Sequence, residues 1–150
     1  MKKHNLLACV KPIAHHIESL SLPHVDIVKT IPEFDLILDR KIRVTDNCVY
    51  VYPNGSQTLS QRSDQESRQR IAVGVAMAGR MHTSESLSFY DRVGETITEL
   101  KRQLINFEPK NEHYDTVFYN QQLDPNDKHV FGDGFYFYII RLTYDTILKY

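Results

Sequence analysis

Leu6, Leu7, Val10, Ile13, Ala14, Ile17 and Leu20 recur in steps of three and four, which places them on one face of a helix. Asn5 is the candidate cap. Pro12 conflicts with the pattern, because an interior proline lacks an amide donor and clashes with the preceding turn. The helix therefore either kinks there or starts near Lys11 with Pro12 in its first turn. Leu22-Pro23-His24 closes it. A short strand over Ile27 to Thr30, a proline-marked bend and a single helical turn over Phe34 to Leu38 follow. Cys48, Val49, Tyr50, Val51 and Tyr52 then form a dense β-branched and aromatic run, and Pro53-Asn54-Gly55 is a turn signal expected to stop that strand.

Between Ser56 and Arg70 the only apolar residue is Leu59. Such a stretch has no means of offsetting the entropy of being ordered against a core, so it reads as an exposed, mobile polar loop at about 56–70. A loop that long is either functional or a surface insertion. Ile71, Val73, Val75 and Met77 then alternate with Ala72, Gly74, Ala76 and Ala78, giving a strand with one bulky and one small face. Something large should cover the small face, and the next element is the candidate. Leu87, Tyr90, Val93, Ile97, Leu100, Leu104 and Phe107 repeat at helical spacing, with Ser88 and Asp91 as a capping box and Glu108-Pro109 as the stop. The last third reads as a strand over Thr116 to Asn120, a polar turn over Asp124 to Lys128, a Gly132-Asp133-Gly134 turn and a long strand from Phe135 to Leu148. One face of that strand, Tyr136, Tyr138, Ile140, Leu142 and Tyr144, is core. The other begins Phe135, Phe137, Ile139 and changes to Arg141, Thr143, Asp145, as if one end packed on the domain and the other projected past it. Its length, about twice the usual, is a hint of assembly.

With 150 residues, 41% hydrophobic and 25% charged, the chain reads as a single domain over 1–150. Its 18 Lys and Arg nearly cancel its 19 Asp and Glu, so no basic excess points to duplex nucleic acid. No apolar run approaches the roughly 20 residues needed to span a bilayer, and no signal peptide opens the chain, which predicts a soluble, intracellular protein without a membrane partner. Cys9 and Cys48 read as buried free thiols.

The usual catalytic constellations are not found. Seven histidines are scattered, and the adjacent His15 and His16 point to different sides of a helix, so no metal is expected. The stretch Gly74 to Gly79 superficially resembles a dinucleotide loop, but its glycines fall within a strand pattern and are better explained by close helix packing. Asp124, Asn126 and Lys128 fail the calcium-loop pattern. No catalytic residue and no cofactor is assigned. Arg62, Arg68, Arg70 and Arg80 with Tyr50, Tyr52 and Tyr90 could form a surface for single-stranded nucleic acid, although Asp64 and Glu66 interrupt its charge.

The order helix, strands, polar loop, strand, helix, two terminal strands resembles the tail terminator proteins of long-tailed bacteriophages, including the minor tail protein U-like family and its relatives in contractile-tailed phages and prophages. The resemblance covers nearly the whole chain. It is carried by the amphipathic start, the Val49-Tyr50-Val51-Tyr52 strand ending at Asn54-Gly55, the return strand Arg70 to Ala78, the helix ending Leu104-Ile105-Asn106-Phe107-Glu108-Pro109, and the glycine-led strand Gly134 to Tyr144. Pro12 and the long turn Asp124 to Gly134 depart from the pattern, and the second leaves open how the last two strands pair.

The resemblance implies an α+β fold, a mixed or antiparallel sheet flanked by two helices, and a virion protein assembled in the host cytoplasm. It further implies a homohexameric ring on the head-proximal end of the tail tube, where it stops polymerisation and docks the head connector. The expected partners are copies of the chain itself, the tail tube protein and a head–tail connector or neck protein, with DNA met only as it passes through the channel. A heterologous ring presents two different surfaces per subunit. The expected inter-subunit or tube contacts are Arg62, Arg68 and Arg70 in the polar loop and Arg141, Thr143 and Asp145 in the last strand. A neck or head-completion protein and a single-stranded nucleic-acid-binding module are the alternatives.

Overall fold

The computed structural model describes residues 2–81 and 88–150. Helix α1 covers Val10–Ser19 and buries Val10, Ile13, Ala14 and Ile17, as their spacing predicts. Pro12 is its third residue, so the amide that proline lacks is one that a helix start leaves unpaired anyway. Asn5 does not cap it: the N-cap position is Cys9, and Asn5 lies a turn earlier, where its Oδ1 accepts from the Leu7 N–H at 2.9 Å. Strand β1 (Ile27–Thr30) and the single-turn helix α2 (Asp35–Leu38) lie where the sequence places them. Strand β2 covers Cys48–Ser63 and β3 covers Glu66–Arg80. Helix α3 (Phe89–Leu104) follows, capped by Ser88, whose hydroxyl accepts from the Asp91 N–H. Leu87, the first apolar position of the predicted pattern, lies outside the described residues.

Strands β4 (Tyr119–Leu123), β5 (Lys128–Gly132) and β6 (Phe135–Lys149) complete a six-stranded sheet of order β1-β2-β3-β6-β4, with β5 also paired to β6. The pair β1–β2 is parallel and the remaining pairs are antiparallel, so the fold is α+β with a mixed sheet.

The strands differ from the sequence expectation in three places. Pro53-Asn54-Gly55 does not end β2; a register shift between Pro53 and Ser56, with Gly55 at φ +89°, carries the strand onward as a bulge. Ser56 to Arg70 is consequently no mobile loop. It is a β-hairpin arm turning at Asp64-Gln65, and its returning strand stays in register with β6 as far as Glu66 against Lys149. Polar pairing orders it where apolar burial does not: Ser67 and Gln69 are buried, Gln69 Nε2 donates to Ser67 Oγ at 2.9 Å, and the Tyr150 N–H donates to the Gln65 carbonyl at 2.7 Å. The third difference is at the chain's end. The predicted Thr116–Asn120 strand begins three residues later, and the predicted long turn contains β5, so three strands close the fold instead of two.

Helices α1 and α3 pack on the bulky face of β3. Ile13, Ile17, Val49, Val73, Val75, Val93, Leu100 and Ile140 form that layer. The expectation that α3 covers the small face is therefore reversed. Ala76 and Ala78 lie instead among Ile31, Ile37, Tyr50, Tyr52 and Phe137 on the opposite face, beneath α2. The two glycines of β3 divide between the layers. A Cβ on Gly79 would meet Val93 of α3 at 2.7 Å, the close helix packing foreseen, whereas one on Gly74 would fall 2.3 Å from the ring of Tyr52, its register partner on β2. That ring is buried and stacked against Phe34, with centroids 5.7 Å apart, so it has little room to yield. Gly74→Ala is accordingly expected to lower stability by about 2 kcal/mol from overpacking, read as a lower urea midpoint at unchanged slope.

Helix α3 stops at Leu104, earlier than Glu108-Pro109, because Gln121 Nε2 donates to the Leu104 carbonyl at 2.8 Å and Asn106 turns the chain at φ +62°. Phe107 leaves the helix and stacks on His16 of α1 with ring centroids 4.0 Å apart.

Candidate functional site

Tyr50, Tyr52, Phe137 and α2 cover only the end of their sheet face near β1 and the start of β6. Toward the arm the same face turns polar, and the structure gathers most of the predicted contact residues there. Asp145 projects from β6 opposite Arg70 of β3. Its side chain is 0% exposed, and its carboxylate accepts from Arg70 Nε (2.8 Å) at one oxygen and from Arg68 Nη2 and Asn120 Nδ2 (2.9 Å each) at the other. Burial by itself would raise its pKa. The hydrogen bonds from Arg70, Asn120 and Arg68, with the Arg70 charge, outweigh burial and bring the carboxyl down to about 2. Asn120 reaches it from a left-handed backbone position, φ +53°, at the irregularity between Tyr119 and Gln122 in β4.

These contacts correct the assignment of Asp145 to a surface between subunits. It is an internal counter-ion that joins three strands and holds the chain's own arm. The polar half of β6 does not project past the domain either, since β6 has β3 on one side and β4 and β5 on the other. Arg141 and Thr143 do reach the surface with Arg70, lining an open groove of about 470 Å³ between the arm and the Gln122–Pro125 segment. There Arg141 pairs with Asp124 at 3.4 Å. Arg62 lies near the arm tip, 3.8 Å from Glu66. Arg80 stacks over Phe135 at 5.4 Å.

Three clusters were missed by sequence reasoning. Arg92 of α3 is 0% exposed and donates to the Asn47 side chain and, at 3.0 Å, to the Arg80 carbonyl, with Asp46 3.6 Å away. Its place three residues after Phe89 and four before the buried Thr96 was the available signal. Lys101 of α3 and the Tyr138 hydroxyl both donate to Asp127, which pins the β4–β5 connection; that hydrogen bond, with burial, pushes the Tyr138 phenol up to about 12. The third is an aromatic shelf. Tyr136 lies 5.0 Å from Phe131 and 5.8 Å from Tyr90, ring centroid to centroid, and Phe131 and Tyr90 are 51% and 61% exposed.

Cys9 and Cys48 are free and buried. Among the described residues no group of three His, Cys, Asp or Glu side chains could hold a metal ion, and no helix is long and apolar enough to cross a membrane. Among the described residues, β1 and β4 end the sheet and no strand lies beyond β5; β1 pairs with β2 only as far as Val51, so the outer edge of β2 has no partner strand along the arm either. The sequence matches no protein-family model, and no curated protein matches it.

Proposed function

We propose that this protein is a virion assembly piece, a tail terminator that closes the head-proximal end of a phage tail tube as a hexameric ring and offers the surface on which the head connector docks. The observation that carries the reading is the arm. A hairpin whose first strand is polar on both faces and open along its outer edge contributes almost nothing to the apolar layers, so its length answers to something outside the fold. Main-chain groups along such an edge bind an extended partner by strand addition. A ring built head to tail needs two unlike surfaces on each subunit, and the open edges of β2 and β5 lie on opposite sides of the sheet.

Shortening the arm tests this directly. Replacing Gln61 to Ser67 by Asn-Gly leaves Ser60 and Arg68 as the closing pair of a tight hairpin. The Asp145 cluster and both apolar layers remain, so the trimmed chain is expected to fold. In a phage or prophage carrying this gene it should give over-long, uncapped tubes by electron microscopy, as should removal of the whole gene. Fertile tails of normal length from the trimmed chain would sink the role of the arm. Tails of normal length beside unjoined heads, after gene removal, would move the protein to the neck.

A further inference from the structure

The edges of this sheet are not equally guarded. β4 is interrupted by the irregularity between Tyr119 and Gln122, and Asn120 there bends the chain at φ +53°. The arm of β2 shifts register three times against β3, which leaves it short regular runs, Ser56 to Thr58 the longest. A bulge such as that in β4 is how natural sheets spoil an edge as a template. β5 has none: Lys128, His129, Val130, Phe131 and Gly132 pair one for one with β6, without proline or register shift. Its first residue, Lys128, is its only fixed charge. Beside it sits the aromatic shelf, where Phe131 and Tyr90 stay more than half exposed over a buried Tyr136. Regular backbone flanked by exposed aromatic surface is the combination a partner strand requires: hydrogen bonds for affinity and an apolar anchor for register.

We propose that the outer edge of β5 is the receptor for the arm of a second copy of this chain, the polar β2 edge of one subunit docking beside Phe131 and Tyr90 of the next. The inference deepens the ring reading and rests on it for its biological setting. Two features select the arm as occupant. It is an open edge on the opposite side of the same sheet, and a longer one than the four-residue β1, so the contact is head to tail and leaves one free edge of each kind for further copies. It also carries complementary groups: Leu59, the only apolar residue between Pro53 and Ile71, suits the aromatic shelf, and Asp64 at its turn suits Lys128.

The test joins two variants of the full chain that leave Leu59, Phe131 and Tyr90 in place, one with Gln61→Cys on the arm and one with Gly132→Cys on β5, where a Cβ meets nothing within 4 Å, using a short bis-maleimide. The native thiols do not compete, because both are buried and burial raises them to about 12 for Cys9 and about 11 for Cys48. The arm–β5 mixture should give several-fold more cross-linked dimer than a control mixture pairing Gly132→Cys with Ile27→Cys on β1. Tyr90→Ser in the receptor chain should lower that yield several-fold. Light scattering that shows oligomers while the arm–β5 product stays at the control level would overturn the edge pairing and leave the ring reading standing. Chains that stay monomeric and uncross-linked at every concentration would also overturn it, and the tail-length experiment would then judge the ring reading alone.

Discussion

Arg92→Ala is expected to be the most damaging single substitution outside the apolar layers, lowering folding stability by about 3–5 kcal/mol, the range for removing one partner of a wholly buried charged network. The guanidinium sits with no exposure between α3, the turn before β2 and the end of β3, and it is the donor that the Asn47 side chain and the Arg80 carbonyl share. Asp46 closes the network, its Oδ1 accepting from the Arg80 N–H at 2.7 Å and from the Asn47 N–H at 3.0 Å. Asn47 itself sits at φ +53°, so the turn is held in a less favoured conformation. Without Arg92 those acceptors lose its hydrogen bonds in a dry site, and a cavity the size of the side chain remains. Arg92→Met separates the two causes: it restores much of the volume but no donor, and should recover only a minor share of the loss. Urea unfolding of both variants measures this. Equal stability of Arg92→Met and wild type would mean that packing alone matters at this position.

Asp145→Asn is expected to lower stability by about 2–3 kcal/mol, somewhat less than for Arg92 because Arg68 and Arg70 remain partly in water, which screens their mutual repulsion. This site also carries a pH signature. The folded carboxyl titrates near 2, below its ordinary value, so its contribution is fully present above about pH 4 and is lost as pH falls through about 2. The size of that contribution is about 2 kcal/mol. Unfolding midpoints of the wild type should therefore fall between pH 4 and pH 2, and the slope should flatten in Asp145→Asn. A variant as steep as the wild type would assign the acid sensitivity to other carboxylates. Hydrogen exchange should localise the effect, with amides of residues 57–70 losing protection before those of α1 and α3.

The parts of this fold that follow apolar periodicity were legible in the sequence. The buried stripe of α1, the Ser88 cap, the β1 strand and the tyrosine face of β6 all appear as their spacing predicts, because each is decided by local pattern and burial together. The arm was not legible for the same reason. Ser56 to Arg70 has no apolar period, and what orders it is a strand partner 75 residues further on, Asp145 for Arg70, together with buried hydroxyl and amide pairs. Local composition cannot report a hydrogen-bond partner that distant. The reversed face of β3 has a similar origin: small side chains signal a close neighbour, and here the neighbour at Gly74 is the Tyr52 ring of the adjacent strand. Of the expected contact residues, Arg68 and Arg70 were placed in one polar segment and Asp145 in another, and alternation along β6 could not reveal that the aspartate points into a shielded site with both cations beside it.

Strands β3 and β6 run without interruption from beneath the helices to the end of the arm. A ribbon built that way behaves as a lever fixed at its base: the tip's position and angle are set when the domain folds, before any partner arrives. In the proposed ring, docking therefore does not have to freeze a floppy segment, and the conformational entropy that a disordered loop would lose at that moment has already been lost during folding.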